Sequence, residues 1–243
     1  MTKRQKKQAK SRNLLARFML GLVLAWLTVS LLPVLALRWL PPPTSAFMLQ
    51  YWFSPQPAAE QRFEPPRYQW TAWENISPAM RLAVVAAEDQ KFPHHHGFDL
   101  ASIQEALGDY IRGDGLRGAS TISQQVAKNL FLWPDKNIWR KGLEAWFTLL
   151  IELCWPKQRI LEVYLNIAEF GPGIYGVEAA SLIFFNKTAA MLEADEAALL
   201  ATVLPNPAVQ DAASPSPHML ERRRWILTQM QQLGGPRYVE RMP

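Results

Sequence analysis

The sequence predicts a mainly α-helical protein in which a single membrane-spanning helix precedes one folded domain. Three observations predict it: an uncharged run of twenty residues near the N-terminus, a succession of apolar repeats at helical spacing behind N-capping residues, and no convincing run of alternating apolar and polar residues. The chain has 243 residues, of which 49% are hydrophobic, enough for one sizeable core, and it carries no internal repeat.

The elements follow in order. Residues 1–17 hold seven of the 26 Lys and Arg, and the first acidic residue is Glu60. The rest of the chain carries 19 basic against 21 acidic residues, a net of −2, so the folded part has no surplus positive charge to hold a polyanion, and nucleic acid is not the expected partner. Residues 18–37 carry no charge and would span about 30 Å as a helix, the thickness of a bilayer core. The one-sided basic tail places residues 1–17 in the cytoplasm and everything after Arg38 outside it. A cleaved signal peptide is the alternative, since Val34 and Ala36 suit a small-residue cleavage site, but the length of the apolar run favours an uncleaved anchor. Cys154 is the only cysteine, so no intrachain disulfide can form.

Residues 38–67 contain Pro41, Pro42, Pro43, Pro55, Pro57, Pro65 and Pro66, which predicts an extended spacer without regular helix. The folded domain is expected over residues 68–243. Ser77 caps a helix with Pro78 at its first position, running through Met80, Val84 and Ala87 until Pro93 forbids continuation. Asp99 can cap a second helix through Leu107 and Ile111, which stops at Gly113-Asp114-Gly115. Further helices are predicted over about 120–130, 139–153, 157–168, 176–185, 195–204 and 218–233.

Three constellations carry chemistry. Glu88 and Asp89 end an apolar helix just before Phe92-Pro93 and the run His94-His95-His96-Gly97, which gathers acids, imidazoles and a turn in one small volume suited to proton transfer. The same residues read equally as a solvated helix end, and the histidine run lacks the spacing and thiolate partners of a zinc site. Gly118-Ala119-Ser120-Thr121 opens a helix whose free N–H groups and hydroxyls would seat a phosphate, with Thr121, Gln124, Gln125 and Lys128 on one stripe. An N-capped amphipathic helix with a solvated face gives the same pattern. Arg140, Lys141 and Glu144 lie within one turn of each other, either a cationic site steadied by a glutamate or an ordinary surface pair.

Together these segments resemble the successive signature motifs of the peptidoglycan glycosyltransferases: Glu88-Asp89 through Phe92, His95 and Gly97; residues 118–129; Arg140-Lys141-x-x-Glu144; and Ile160-Leu161-Glu162-x-Tyr164-Leu165-Asn166 with Gly171, Gly176 and Ala179-Ala180. They occur in the family's order over about residues 68–210, and the architecture is most similar to the monofunctional biosynthetic transglycosylases. No lysine has a serine three residues before it, so the nucleophile motif of the bifunctional relatives' transpeptidase domain is not expected.

The resemblance implies a lysozyme-like large lobe with a small jaw lobe partly sunk in the membrane, for which Leu130-Phe131-Leu132-Trp133 is a candidate contact or else core. It implies lipid II as substrate, Glu88 as the base that deprotonates the acceptor's 4-hydroxyl, and inversion at the donor carbon. Ser120, Thr121, Gln124, Gln125 and Lys128 match the pyrophosphate site, Asp89 and His95 the first motif, and Arg140, Lys141 and Glu144 the third, with Glu144 essential or supporting. Departures are Ala119 in place of a second glycine, Lys136 where some members have an arginine facing the pyrophosphate, and a loose last motif at Pro205-Asn206-Pro207. No cofactor or bound metal is implied, although stimulation by a divalent metal ion stays open. The implied partners are lipid II, the growing glycan strand, the inner membrane and cell wall synthesis or division proteins. Two other classes fit parts of the pattern: a lytic enzyme using its glutamate as an acid on a glycosidic oxygen, which has little use for Lys128, and a non-catalytic membrane scaffold.

Overall fold

The computed structural model describes residues 3–53, 65–100, 102, 104, 112, 120–135, 137–240 and 242. Lys136, Gly118, Ala119 and most of the helix expected after Asp99 lie outside the described residues. Two compact units are present, residues 1–40 and 41–243. The first is dominated by helix α1 (Lys3–Leu37), whose stretch Asn13–Leu37 has a mean hydropathy of 2.3 and is long and apolar enough to cross a membrane. Pro33 lies inside it, and Ser30 returns its hydroxyl to the Trp26 carbonyl at 2.8 Å.

The second unit is helical with a small sheet. Among the described residues its helices with full bounds are α2 (Ala46–Phe53), α3 (Pro78–Glu88), α4 (Ile122–Phe131), α5 (Ile138–Cys154), α6 (Lys157–Ile167), α7 (Val177–Phe185), α8 (Ala194–Val203), α9 (Pro217–Gln232) and the short α10 (Arg237–Glu240). Their bounds fall within two residues of those the periodicity predicts for α3 through α9. Ser77 caps α3 as expected, accepting from the Met80 N–H at 3.0 Å.

Two features differ from the sequence reading. The proline-rich segment is not wholly extended. Its proline-free centre folds as α2, because the Ser45 hydroxyl accepts from the Met48 N–H at 3.1 Å and Met48 buries itself. Strands also exist: β1 (Arg67–Tyr68), β2 (Glu169–Gly171) and β3 (Ile174–Tyr175) form a sheet in the order β1-β3-β2, with β3 parallel to β1 and antiparallel to β2. Two or three residues are too few to show alternation, so these strands left no periodic trace.

The core lies where α3, α8 and α9 pack together and where α4 packs on α5 and α6. Helix α6 supplies Ile160, Leu161, Val163, Tyr164, Leu165 and Ile167 to it. Its polar residues work as internal clips. Asn166 accepts from the Thr71 N–H at 2.8 Å and donates to the Thr71 carbonyl at 2.9 Å, pairing with that chain as a strand would. Glu162 accepts from the Trp73 N–H and from Arg159. The motif at residues 160–166 therefore anchors the chain that leads into α3.

Leu130 and Leu132 are buried and Phe131 stacks on Phe147 at 4.6 Å, leaving Trp133 as the exposed member of that run. Gly176 has a φ of +84°, and a Cβ there would meet the Asn166 carbonyl oxygen at 2.6 Å. Backbone cannot swing aside as a side chain can. We expect Gly176→Ala to cost roughly 2 kcal/mol or more, whereas Gly142→Ala, inside α5 and facing open space, should stabilise by about 0.5–1 kcal/mol. Thermal unfolding of the two variants checks this; a neutral Gly176→Ala would show that the close approach can relax.

Candidate active site

The site is built where the end of α3 meets the start of α4. Helix α3 stops at Glu88 because Asp89 leaves helical geometry, and the chain turns through a short 3-10 segment, Phe92–His94. Phe92 is fully buried and carries the Lys157 ammonium over its ring at 4.4 Å, which nails the turn to the core. Gly97 has a φ of +84°, and a Cβ there would strike Thr148 Cγ2 at 2.7 Å and Glu152 Cγ at 2.9 Å. The spacing from Glu88 to Gly97 is thus a turn with one buried anchor and one position that only glycine fits.

Asp89 holds this turn to α4. Its buried carboxylate accepts from the Ile122 N–H at 3.0 Å and from His95 Nε2 at 3.0 Å. The Gly97 N–H donates to His95 Nδ1 at 3.1 Å, so the ring proton resides on Nε2, facing Asp89. Thr121 donates to the Gly97 carbonyl at 2.7 Å and shares a capping box with Gln124. The expected free anion seat at this helix end is therefore filled from within: Asp89 is its anion, and the Thr121 and Gln124 side chains are buried in the cap. Ser120 stays exposed beside it.

Gln125 and Lys128 do face the site. Gln125 Nε2 donates to Glu88 Oε2 at 2.8 Å, and its own Oε1 accepts from the buried Tyr164 hydroxyl at 3.2 Å. The Glu88 carboxylate is thereby fixed through an amide to a phenol of the core. Burial raises its pKa above the usual carboxylate range, an effect opposed by the Gln125 bond and the Arg222 charge, reinforced by Asp89 and opposed least by Lys128. Burial lowers the pKa of Lys128, with Glu144 and Glu88 pulling the other way and Arg140 and Lys141 adding to the fall. Among the described residues the Lys128 ammonium meets the Phe47 ring of α2, 5.4 Å from its centroid, but no carboxylate or carbonyl at hydrogen-bond distance.

Glu144 gathers the cations of α5. Arg140 Nη1 donates to it at 2.7 Å in a buried pair, and Lys141, half exposed, reaches its other oxygen. Helix α5 starts at Asn137, which accepts from the Arg140 N–H at 2.8 Å. With both oxygens engaged, Glu144 orients cations and is not placed as a second base. A cavity of about 290 Å³ opens beside Glu88 between Ser120, Lys91, Asp99 and Trp225. Among the described residues no three metal-ligating side chains converge.

A family model described as "Transglycosylase" matches residues 56–231. The chain belongs to the transglycosylase family. It is an enzyme of glycosyl transfer, and relatives agree over nearly their whole length. A biosynthetic peptidoglycan transglycosylase of Stutzerimonas stutzeri is 52% identical over 236 residues, covering 95% of this chain and 94% of the relative. Proteins of that name from Chromohalobacter salexigens and Xanthomonas campestris pv. campestris are each 50% identical, over 230 and 224 residues, covering 93% and 92% of this chain and 96% and 91% of theirs.

In this transglycosylase, sequence reasoning missed Phe47, Tyr164 as a support of Gln125, and Arg222 and Trp225 on α9. Phe47 was hidden in a segment read as spacer, although Ser45 ahead of an apolar octet is a cap signal. Arg222 and Trp225 had no local signal, lying more than 130 residues from the helix end they flank.

The raised pKa of Glu88 has a consequence for stability. A carboxyl that holds its proton more tightly when folded stabilises the fold below its unfolded pKa, and that contribution is lost as pH rises through the folded value. Glu88→Gln should therefore gain stability relative to the parent as pH climbs from about 4.5 toward neutrality. Parallel melting curves across that range measure it, and a gap that widens toward acid would mean the carboxylate is better solvated than its surroundings indicate.

Proposed function

We propose that this transglycosylase is a peptidoglycan glycosyltransferase that polymerises lipid II outside the cytoplasmic membrane, held there by α1 as an uncleaved anchor. The observation that carries the reading is the half-buried Glu88 carboxylate, fixed by Gln125 on the same helix that presents the Lys128 ammonium, which has no acidic partner at ion-pair distance among the described residues. The names of the relatives at about 50% identity support the substrate class.

The chemistry follows from the charges. Glu88 accepts the proton of the acceptor's GlcNAc 4-hydroxyl while that oxygen attacks C1 of the donor MurNAc from the face opposite the leaving group. The C1–O bond breaks, its electron pair departs with undecaprenyl pyrophosphate, and inversion gives a β-1,4 linkage. A carboxylate desolvated enough to be a stronger base than usual suits the proton transfer. The departing diphosphate gains charge, and Lys128, with Arg140 and Lys141 steadied by Glu144, offers cations already fixed before reaction. Ser120 is exposed and borders the cavity beside Glu88, where its hydroxyl can meet substrate. Such a mechanism calls for no cofactor. A lytic reading is less well supported, because hydrolysis of a glycosidic bond releases no diphosphate and leaves the Lys128 seat without a purpose.

Two substitutions test the reading on purified lipid II, with glycan chains resolved on a gel. Glu88→Gln should lower polymerisation by roughly a hundredfold or more with the fold intact. A rate above about a tenth of the parent's would remove Glu88 as base. Lys128→Ala should lower the initial rate about tenfold to a hundredfold with little change in melting temperature, as expected for losing a charged contact to phosphate. A near-parental rate would return Lys128 to the role of a covered surface lysine. Shortened glycan from a preformed strand, with no lipid diphosphate released, would favour the lytic class.

A further inference from the structure

We propose that Arg222, on the C-terminal helix α9 and beyond all the sequence motifs, is a positioning residue that keeps Glu88 ionised and ready to accept a proton. The inference rests on the reading of Glu88 as the base.

The geometry is as follows. Arg222 Nη2 donates to the Ala87 carbonyl at 3.1 Å, one residue before Glu88 in the last turn of α3. Carbonyls there have no partner within the helix, and a cation is favoured at that end. The guanidinium lies over the Trp225 ring at 3.9 Å, one turn further along α9, and Trp225 lines the cavity that Glu88 borders. The plane of the guanidinium is thus held from two sides. Its neighbour Arg223 is committed to Asp195 at 2.9 Å, but among the described residues no carboxylate forms an ion pair with Arg222. Its charge is therefore available to Glu88 rather than cancelled elsewhere.

Helix α9 cannot drift away from α3. Met219, Ile226 and Met230 are buried, Gln90 Nε2 donates to Gln229 Oε1 at 3.1 Å, and the Tyr238 hydroxyl donates to the Gln90 carbonyl at 2.7 Å. A simple helix-end clamp would need this packing but would have no use for a cation placed beside a half-buried acid without an ion pair among the described residues.

Among the described residues the charged and titratable groups acting on or beside Glu88 are Asp89, next in the chain, Lys128 of α4, Tyr164 of α6 and Arg222 of α9, with the neutral Gln125 amide as direct partner. Burial pushes Glu88 toward its neutral form, and Asp89 pushes the same way. Lys128 and Arg222 oppose them, and burial draws Arg222 itself downward while Glu88 restores it, so each holds the other's charge. Lys128 is expected to be occupied by the donor diphosphate during reaction. Arg222 is then the cation left to Glu88, and once Glu88 has taken the proton, the same charge favours its release to solvent for the next cycle.

The test uses the full-length protein in detergent. Arg222→Gln keeps a donor for the Ala87 carbonyl and removes the charge; Arg222→Lys keeps the charge and loses the stack; Arg224→Gln, at an exposed position on the same helix, controls for overall charge. Two readouts are taken: the pH profile of kcat for lipid II polymerisation, and an infrared titration of the protonated carboxyl band that disappears in Glu88→Gln. We expect Arg222→Gln to move both the acid limb and the infrared midpoint to higher pH, the rate on that limb falling about tenfold for each unit moved, with KM little changed. Arg222→Lys should restore most of the shift, and Arg224→Gln should show none. If Arg222→Gln cannot be purified folded, Trp225→Leu, which frees the guanidinium, should move the infrared midpoint in the same direction by less. A lowered melting temperature with limb and midpoint unmoved would reduce Arg222 to a helix-end clamp and overturn the proposal. Because the infrared midpoint needs no turnover, a shift seen in a protein whose parent fails to polymerise lipid II would sustain the role of Arg222 and defeat the functional reading instead.

Discussion

The Asp89 carboxylate, buried at the N-terminus of α4, is the contact on which the rest of the site depends. A buried carboxylate is costly unless its lone pairs are met, and here the Ile122 N–H, the positive end of the helix and the His95 ring meet them. Because Asp89 also terminates α3, this one group sets two helix ends against each other. Glu88, one residue earlier, is thereby delivered beside Gln125, one turn into α4. His95 takes part only because Gly97 folds back to fix its tautomer, and Gly97 can do so only without a Cβ. The motif reads as catalytic from its first residue, yet four of its five defining positions are scaffold.

The same economy governs the charges. Burial opposes the charged forms of both Glu88 and Lys128, and opposite charges offset part of that effect, Arg222 and Lys128 at Glu88 and Glu144 and Glu88 at Lys128. Such an arrangement is poor for stability and good for function, since an acid and an ammonium that gain most from a partner are those least solvated beforehand. Glu144 follows the opposite rule. Its oxygens are fully engaged by Arg140 and Lys141, which makes it the fixed support of a cationic patch.

Much of this was legible in the chain. Ser77-Pro78 and Asn137 mark helix starts by cap chemistry that acts over three or four residues, and the apolar periods that follow define faces. The uncharged run behind a basic tail and the order of the polar motifs were likewise local facts. Thr121 and Gln124 form a capping box that Asp89 closes, an arrangement that the sequence does not separate from an open anion seat; which one forms depends on whether a carboxylate from elsewhere arrives. The spacer reading of residues 38–67 failed because prolines at its ends outweighed a short capped helix between them.

What the sequence determined by itself is the helical class, the candidate membrane span, the helix boundaries and the set of polar residues from which a site could be drawn. Tertiary structure decided which of them meet: the hydrogen bonds from Ile122 to Asp89, from Gln125 to Glu88 and from Arg222 to Ala87 join residues 33, 37 and 135 positions apart. Caps and periodicity act within a turn or two of helix, so they leave a trace in neighbouring residues. Burial and the field at a carboxylate are summed over whatever the fold brings near, and no stretch of chain contains that sum.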